Sequence, residues 1–274
     1  MIALTHGGVE CTIDPELGGS LLSLSVNGHD LLRPSSPETR DVLQTACFPL
    51  APFANRIADG RMTLSGREVV LPADVAAPPH AHHGHGWRRP WRLINKSDAL
   101  AELEYRHTPD EWPWAYVATQ RITLIERGAE IEISIINRSD EDMPAGLGLH
   151  PYFARGEADT ISVAATRMVM SDSGGIPSGE APITPGEKSL DTIEGMDNLL
   201  LDESGQMHLR SGGVACVLKA RGAVGFHVYV PEGEKYFCVE PVSHRPNAFS
   251  SNAEHHAIKP GETRRLAMQL SSVS

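Results

Sequence analysis

Apolar and polar residues alternate in short runs along most of this chain. Residues 101–106 read Ala-Glu-Leu-Glu-Tyr-Arg, residues 130–135 read Glu-Ile-Glu-Ile-Ser-Ile, and residues 224–230 read Val-Gly-Phe-His-Val-Tyr-Val. An alternation with a period of two, rich in β-branched side chains, is typical of a strand that is buried on one face. Each run therefore predicts a β-strand. In the third run, His227 and Tyr229 lie on the face opposite to Phe226 and Val228.

Six further segments predict strands, at 9–13, 21–26, 91–95, 116–125, 213–219 and 236–239. No long stretch has apolar residues at the spacing of an amphipathic helix behind a capping residue. Turn sequences such as Val26-Asn27-Gly28-His29 and Glu126-Arg127-Gly128-Ala129 separate the runs. Many short strands joined by turns predict an all-β sandwich or barrel, which we expect to be a single domain over residues 1–274. Residues 172–189 hold few large apolar side chains and are interpreted as a long surface excursion between strands.

The composition is that of a globular chain with a sizeable core. Hydrophobic residues make up 41% and charged residues 22% of the chain, which excludes global disorder. The 24 lysines and arginines against 35 aspartates and glutamates give a net charge of −11. Such a charge repels polyanions and therefore argues against a nucleic acid or an anionic membrane as the partner.

The chain is expected to be a cytoplasmic protein with reduced thiols. No apolar run approaches the ~18 residues of a membrane-spanning helix. The first six residues, Met-Ile-Ala-Leu-Thr-His, do not resemble a signal peptide. The cysteines are widely spaced and form no Cys-x-x-Cys pair, which favours small buried side chains over a disulfide framework. They lie at Cys11, Cys47, Cys216 and Cys238.

The densest group of histidines lies at 80–85, where the sequence reads His-Ala-His-His-Gly-His. Four imidazoles within six residues are able to bind zinc, nickel or copper. However, His82 and His83 are adjacent, and residues 80–91 contain neither cysteine nor carboxylate, so the spacing does not suit a metal cage. We expect no functional metal here. The alternative is that one histidine, held by the turn Gly84-His85-Gly86, faces a ligand.

A second segment places His150 at the end of an apolar strand, in the sequence Gly146-Leu-Gly-Leu-His150-Pro151-Tyr-Phe. The Gly-x-Gly spacing is similar to a dinucleotide-binding fingerprint, but Pro151 occupies the place of the third glycine and no helical pattern follows. The nucleotide interpretation therefore fails. His150 is either a hydrogen-bonded core residue or a functional one, and its sequence context leaves both possibilities open.

A third segment places Glu240 at the end of the apolar run 236–239 and before Pro241. A buried carboxylate is costly unless it is paired or hydrogen-bonded. Burial also raises the pKa of a carboxyl group toward neutrality, which suits a general base. The alternative is an ordinary glutamate in a salt bridge, with Arg245 as the nearest partner in the sequence.

A fourth segment presents the pair Asn55-Arg56 after the proline-stiffened stretch Phe-Pro-Leu-Ala-Pro-Phe-Ala. Amide and guanidinium groups are good donors to sugar hydroxyls and carboxylates, so the pair is a candidate binding element. The alternative assigns Asn55 to a turn and Arg56 to a surface ion pair.

Together these segments resemble the aldose 1-epimerases, also called galactose mutarotases. The motifs occur in the family's order over roughly residues 10–270, and the likeness is greatest to a bacterial branch marked by Phe-Pro-Leu-x-Pro-Phe-x-Asn-Arg-Ile and His-Gly-x-Gly-Trp-Arg-Arg-Pro-Trp. The matching positions are Asn55-Arg56, His83-Gly84, His150-Pro151-Tyr152-Phe153, Asp197 and Glu240-Pro241.

The resemblance implies a galactose mutarotase-like β-supersandwich with the sugar in an open groove. It assigns His150 as the general acid at the ring oxygen and Glu240 as the general base at the anomeric hydroxyl. It also implies that the substrate is held by four further residues, with Trp87 or Phe249 supplying an apolar face for the ring. These four are Asn55, Arg56, His83 and Asp197.

The implied activity is interconversion of the α and β anomers of an aldose, which needs no cofactor and no metal. The alternative, from another class, is a non-catalytic carbohydrate-binding or sugar-sensing protein on the same fold. An acid–base pair is not required for binding, so its presence favours the enzyme. The resemblance does not determine the oligomeric state.

The chain departs from galactose-specific members at two motifs, and these departures leave the sugar open. Glu240 is followed by Pro-Val-Ser-His where Thr-Gln is usual, and Asp197 is followed by Asn-Leu where His-x-Phe is common. Asp202 lies close enough in sequence to compete with Asp197. Likewise, His82 and His85 compete with His83.

Overall fold

Strands make up most of the backbone in the computed structural model, which describes residues 1–273 without the side chain of Ser251. In chain order, the strands of this range are β1 Ile2–His6, β2 Val9–Asp14, β3 Ser20–Val26, β4 His29–Asp30, β5 Cys47–Leu50, β6 Arg56–Ile57, β7 Arg61–Leu64, β8 Arg67–Val70, β9 Ala81–His82, β10 Arg92–Lys96, β11 Leu100–His107, β12 Tyr116–Ile125, β13 Gly128–Asn137, β14 Met143–Pro144, β15 Gly148–Ala154, β16 Thr160–Val163, β17 Arg167–Ser171, β18 Pro177–Pro182, β19 Gly186–Ser189, β20 Asp197–Leu201, β21 Gln206–Ser211, β22 Val214–Arg221, β23 Gly225–Tyr229, β24 Tyr236–Val242, β25 Ala257–Ile258 and β26 Thr263–Ser272.

The helical segments are short. The α-helix α1 covers Ala248–Asn252, and the 3₁₀ turns lie at Val42–Gln44, Ala58–Gly60, Gly86–Arg88, Leu190–Ile193 and Ala253–His256. Within the described range, no helix has the length and apolar character needed to cross a membrane. The predicted all-β class is therefore confirmed.

Two large sheets form the body of the protein. The first has the strand order β1-β2-β3-β5-β15-β24-β23-β20-β17-β18, with β4 paired to β3, and the second has the order β10-β11-β12-β13-β26-β22-β21-β16-β19. Apolar side chains of both sheets belong to one buried cluster, which includes Leu4 and Ile13 of the first sheet and Ile131 and Ile133 of the second. This shared core makes the architecture a sandwich.

The alternating runs form strands as predicted. The segment 116–125 coincides with β12, and the other predicted segments differ from observed strands by a few residues at their ends. The turn between β3 and β4 has φ angles of 51° at Asn27 and 78° at Gly28, the left-handed conformation that tight hairpins require. Local alternation and turn residues therefore predicted the strands well.

The interpretation of residues 172–189 was wrong in one respect. This exposed segment contains strand β18, which lies at one edge of the first sheet, and strand β19, which lies at one edge of the second. Edge strands bury little surface and so need few large apolar side chains, which removes the alternation that revealed the other strands.

The alternation also places the candidate site residues on one face of the first sheet. In β23, Phe226 and Val228 point into the core between the sheets, so His227 and Tyr229 point to the other side. That other face carries a second apolar cluster, in which Phe48, Tyr152 and Cys238 take part. The outer face of the first sheet is therefore covered rather than solvated.

Four neighbouring strands bring the polar side chains of this outer face together. Strands β15, β24, β23 and β20 are consecutive in the sheet and carry His150, Glu240, His227 and Asp197 in that order. The register pairs His227 directly with Glu240. It also pairs residue 148 with 242 and residue 152 with 238, which places His150 opposite Glu240. Side chains on directly opposed positions of neighbouring strands are in contact distance.

Candidate active site

A cavity of about 300 Å³ lies over these four strands. Its wall contains histidines, tyrosines, three carboxylates and an arginine, together with a few apolar side chains. The lining residues are Asp41, Leu43, Gln44, Asn55, Arg56, Ala76, His82, His83, His150, Tyr152, Asp197, His227, Tyr229, Tyr236 and Glu240. All six residues singled out in the sequence therefore line one cavity, although they come from distant parts of the chain.

His150 and Glu240 are in direct contact at the floor of the cavity. The distance between His150 Nε2 and Glu240 Oε1 is 3.3 Å, and the two residues are only 6% and 3% exposed. The imidazole packs against the rings of both Phe48 and Tyr152, with centroid distances of 4.6 and 4.7 Å. The aromatic rings fix the orientation of His150 and exclude water from one side of the pair.

Burial favours the neutral form of each partner in this pair. It raises the pKa of Glu240 from its ordinary value of 4.5 to about 8. Burial, together with the nearby charge of His227, lowers the pKa of His150 from 6.5 to about 3. At a pH between these two pKa values the pair carries a single proton. A single proton is the condition for proton transfer between the two groups.

His83 is held beside the pair by a reciprocal contact with Asn55. The backbone N–H of Asn55 donates to Nδ1 of His83 at 3.0 Å, and the backbone N–H of His83 donates to the carbonyl of Asn55 at 2.9 Å. Both residues have a φ of 58°, a left-handed conformation that is unfavourable for a side-chain-bearing residue. Burial lowers the pKa of His83 well below its ordinary value, so the ring is neutral.

Gly84 allows this loop to approach the first sheet closely. A Cβ atom at position 84 would lie 2.4 Å from the carbonyl oxygen of Ala51. The φ of Gly84 is 68°, a second reason for glycine at this position. The His-Gly step of the sequence motif thus has a physical basis, because a side chain at 84 would displace His83 from the cavity.

Arg56, Asp197 and His227 form a charged group at the other end of the cavity. His227 Nε2 lies 2.6 Å from Asp197 Oδ1, whereas Arg56 Nη1 is 4.0 Å from Asp197 Oδ2. Burial alone would raise the pKa of Asp197, but the hydrogen bond and charge of His227 outweigh it and lower the pKa to about 2. The half-exposed Asp197 carboxylate is therefore an ionised acceptor that faces the cavity.

Arg56 also marks the junction with a neighbouring cavity. This second cavity, of about 450 Å³, shares Arg56, Ala76 and Asp197 with the first and is otherwise lined mainly by the β17–β18 turn. The guanidinium packs over Gly175, where a Cβ atom would lie 2.5 Å from Cζ of Arg56. The site is therefore open along the rim formed by Arg56 and Asp197.

The four histidines of the run at 80–85 lie in three different environments. His80 Nδ1 accepts the backbone N–H of Asp59, His82 and His83 line the cavity, and His85 Nε2 contacts the hydroxyl of Tyr116 at 2.8 Å. Among the described residues, the one triad of close potential ligand atoms comprises His83, His150 and Glu240, within 4.8 Å of one another. Of these three, the sequence resemblance assigns His150 and Glu240 to proton transfer and His83 to substrate binding, and neither role needs a metal.

Removal of metal ions provides a direct check of this assignment. Protein purified without an affinity tag and dialysed against EDTA is expected to keep its full rate of sugar turnover, because proton transfer by His150 and Glu240 needs no Lewis acid. The measurement is metal content by mass spectrometry alongside the rate. Stoichiometric metal together with a rate that chelator abolishes and zinc restores would contradict the assignment.

Several residues considered in the sequence lie outside the cavity. Asp202 accepts the backbone N–H and the hydroxyl of Ser204 and so belongs to a turn. Arg245 contacts Glu180 at 2.6 Å, so the proposed salt bridge between Arg245 and Glu240 is wrong. His85 packs against the ring of His107 and is not an alternative to His83.

The two expected apolar platforms for a sugar ring are also wrong. Trp87 and Phe249 are each 1% exposed, and neither lines the cavity. Trp87 stacks on Phe48, which in turn stacks on His150, so its contribution is to support the imidazole from behind. The aromatic side chains that reach the cavity are tyrosines, namely Tyr152, Tyr229 and Tyr236.

Comparison with known proteins identifies the family. Residues 1–271 match the family model described as aldose 1-epimerase. The chain belongs to the aldose 1-epimerase family. Among curated relatives of this family member, the uncharacterised protein YphB of Escherichia coli K12 is 26% identical over 290 residues, which cover 97% of each chain.

Solved structures agree with this membership. A proposed aldose 1-epimerase from Escherichia coli K12 has 25% identity and a TM-score of 0.88, over 98% of this chain and 97% of that chain. A GalM/aldose epimerase homologue from C. elegans has 17% identity and a TM-score of 0.85, over 100% of this chain and 99% of that chain. The predicted family and the galactose mutarotase-like fold are both confirmed.

Several polar residues that line the cavity of this aldose 1-epimerase family member were not singled out in the sequence, and His227 is the most deeply buried of them. His227 is 4% exposed, pairs with Glu240 across the sheet and contacts Asp197. The alternation of 224–230 placed it on the polar face of a strand, and such a face usually contacts solvent. The sequence therefore placed His227 on the polar face of its strand. Only the structure shows that this face is buried under other residues and lines a cavity.

Proposed function

We propose that this protein is an active aldose 1-epimerase that interconverts the α and β anomers of an aldose. The observation that carries the proposal is the buried contact of 3.3 Å between His150 and Glu240 at the floor of the cavity. A protein that only binds sugar has no need for a water-excluded acid–base pair, and burying two titratable groups is costly.

Opening the sugar ring moves one proton in and one proton out. His150 donates a proton to the ring oxygen while Glu240 accepts the proton of the anomeric hydroxyl, so that the bond between C1 and the ring oxygen breaks and a C1 aldehyde forms. Rotation about the C1–C2 bond then presents the opposite face of the aldehyde to the hydroxyl group that closes the ring. Closure reverses both transfers, because the glutamic acid returns its proton and the neutral imidazole accepts one. The pair carries one proton throughout the cycle.

Four residues of the cavity wall are proposed to hold the sugar. The amide of Asn55, the neutral ring of His83, the guanidinium of Arg56 and the carboxylate of Asp197 supply donors and acceptors that match hydroxyl groups. Buried hydrogen-bonding groups that the correct substrate satisfies also reject analogues that lack the matching hydroxyl. This wall is therefore expected to determine which aldose reacts.

Polarimetry tests the proposed function. Freshly dissolved α-anomers of glucose, galactose, xylose, fucose and rhamnose are followed to equilibrium with and without protein, and Glu240→Ala protein serves as the control. Faster relaxation for at least one sugar, which the variant loses, is the expected result. Folded protein that accelerates none of them would favour the carbohydrate-binding alternative.

The pH dependence follows from the single shared proton. Since burial raises the pKa of Glu240 to about 8, the pair keeps its proton below that pH and loses it above. The kcat/KM is therefore expected to be level between about pH 5 and 7 and to fall as the pH rises through about 8. The measurement is polarimetric kcat/KM against pH, corrected for the buffer reaction. A rate that climbs through pH 8 would instead make the fully deprotonated pair the active form.

A further inference from the structure

His227 is a buried histidine that the acid–base cycle above does not use. Its Nε2 atom lies 2.6 Å from Oδ1 of Asp197, across the β20–β23 strand pair. Its Nδ1 atom is also buried and has no hydrogen-bond partner among the residues that the structure describes. The contact with Asp197 is therefore the only one that fixes the ring through a hydrogen bond within this range.

The charged surroundings of His227 come from five elements. Asp197 faces it from β20 and Glu240 from the neighbouring strand β24, and both are acidic. The other titratable or charged groups whose fields reach it are His150 of β15, Arg56 of β6 and the two histidines His82 and His83. The two neighbours that the hydrogen bond and the strand register define are thus both carboxyl groups.

This arrangement favours a positive charge on the imidazole. Burial by itself would lower the pKa of His227, but the hydrogen bond and the charge of Asp197 outweigh burial and raise the pKa. The same contact lowers the pKa of Asp197. The 2.6 Å contact between His227 and Asp197 therefore favours an ion pair, and the imidazole is in register with Glu240 on the neighbouring strand.

We propose that His227 is a positioning residue, whose ring holds the Asp197 carboxylate toward the sugar and whose charge stabilises the carboxylate of Glu240. The inference rests on the proposed function, because the charge of His227 affects catalysis at the step in which the sugar ring opens. At that step Glu240 must be ionised and His150 protonated, whereas burial favours the neutral state of the pair. A cation on β23 is one strand from Glu240 and two strands from His150, so it favours the ionised glutamate over the neutral acid.

The charge state of His227 is measured without any sugar. In protein labelled with ¹⁵N-histidine, NMR at pH 7 is expected to show an imidazolium signal that is absent from His227→Gln and is thereby assigned to His227. The Asp197→Asn variant is expected to convert this ring to the neutral form. A neutral His227 in the unmodified protein, or a ring that stays charged in Asp197→Asn, would overturn the proposal. This result stands whether or not any sugar is turned over.

The consequence for catalysis is measured in His227→Gln, whose amide still donates a hydrogen bond to Asp197. Without the positive charge, the alkaline limb of kcat/KM is expected to move upward by roughly one pH unit, and kcat to fall by about tenfold. The exposed His208→Gln serves as the matched control. Variant protein with a lowered melting temperature and an unshifted alkaline limb would show that His227 is merely structural.

The two measurements separate the possible failures. If the unmodified protein accelerates no sugar while His227 carries its charge, the proposed function fails and the ion pair remains. If sugars react but the alkaline limb is unchanged in His227→Gln, the positioning role is wrong and the proposed function remains. Should His227→Gln fail to fold, NMR on the unmodified protein and on Asp197→Asn decides, because the Asp197 side chain is 40% exposed and its replacement is expected to leave the fold intact.

Discussion

Glu240→Gln is expected to lower kcat for mutarotation by about 10²–10⁴-fold, the usual contribution of one general base. Glutamine preserves the shape of the side chain and its hydrogen bonding with His150, but it cannot accept the proton of the anomeric hydroxyl. The KM is expected to change little, because Glu240 lies at the floor of the cavity and the proposed sugar-binding residues are intact. The measurement is polarimetric kcat and KM on the sugar that reacts fastest.

The same variant is expected to be more stable than the unmodified protein at alkaline pH. The pKa of Glu240 is about 8 in the folded protein and near 4.5 when unfolded, so the folded state binds the proton more tightly. The protonated Glu240 therefore makes its full stabilising contribution to the free energy of unfolding below about pH 4.5. This contribution is lost as the pH rises through 8. Thermal unfolding between pH 5 and 9 should show a difference that grows with pH, and this also verifies that Glu240→Gln is folded.

A matched control for this experiment is Glu234→Gln, which changes an exposed glutamate on the turn before β24. It is expected to leave both kcat and the melting temperature unchanged. A Glu240→Gln protein with more than a tenth of the normal kcat would show that another group accepts the proton. The mechanism proposed here would then be wrong, although the family assignment would stand.

His150→Gln is expected to lower kcat by a similar factor of about 10²–10⁴, because the ring oxygen then receives no proton as the bond to C1 breaks. The glutamine amide can occupy the place of the imidazole against Phe48 and Tyr152, so the fold is expected to persist. The double variant with Glu240→Gln is expected to be no slower than the worse single variant, since groups that act as a unit are not additive.

The control for His150 is His6→Gln, an exposed histidine on β1. Circular dichroism and thermal unfolding of each variant separate loss of chemistry from loss of structure. Losses from the two single variants that multiply in the double variant would mean that His150 and Glu240 act independently. In that case they would not share the proton on which the expected pH profile depends.

The sequence predicted most of the fold because its signals are local. An alternation over six residues and an Asn-Gly turn act through neighbouring side chains and backbone angles. Both can therefore be recognised in a short contiguous stretch of sequence. The strands of edge segment 172–189 were missed for the same reason, since an edge strand carries little of that signal. Similarly, the motifs around His150 and Glu240 led to the aldose 1-epimerase family because each is a short contiguous stretch.

The choice among nearby residues was decided by tertiary structure. His83 and His85 are two positions apart, yet one lines the cavity and the other contacts Tyr116. Trp87 looked like a platform for a sugar and instead lies behind Phe48. The position of each of these side chains depends on the neighbours that it contacts after the sheets have packed. The residue type alone does not determine those neighbours.

By itself, the sequence determined the all-β class and the family, and it singled out His150 and Glu240 as the candidate acid and base. Only the tertiary structure decided that His227, thirty residues from Asp197, forms a hydrogen bond with it beside Glu240. The physical reason is that a strand pattern specifies which face a residue occupies, whereas the neighbours on that face depend on strand order and register. In this protein, β15 and β20 lie on either side of the strand pair β24–β23 in one sheet although other elements separate them from that pair in the chain, and this order brings the four polar residues together.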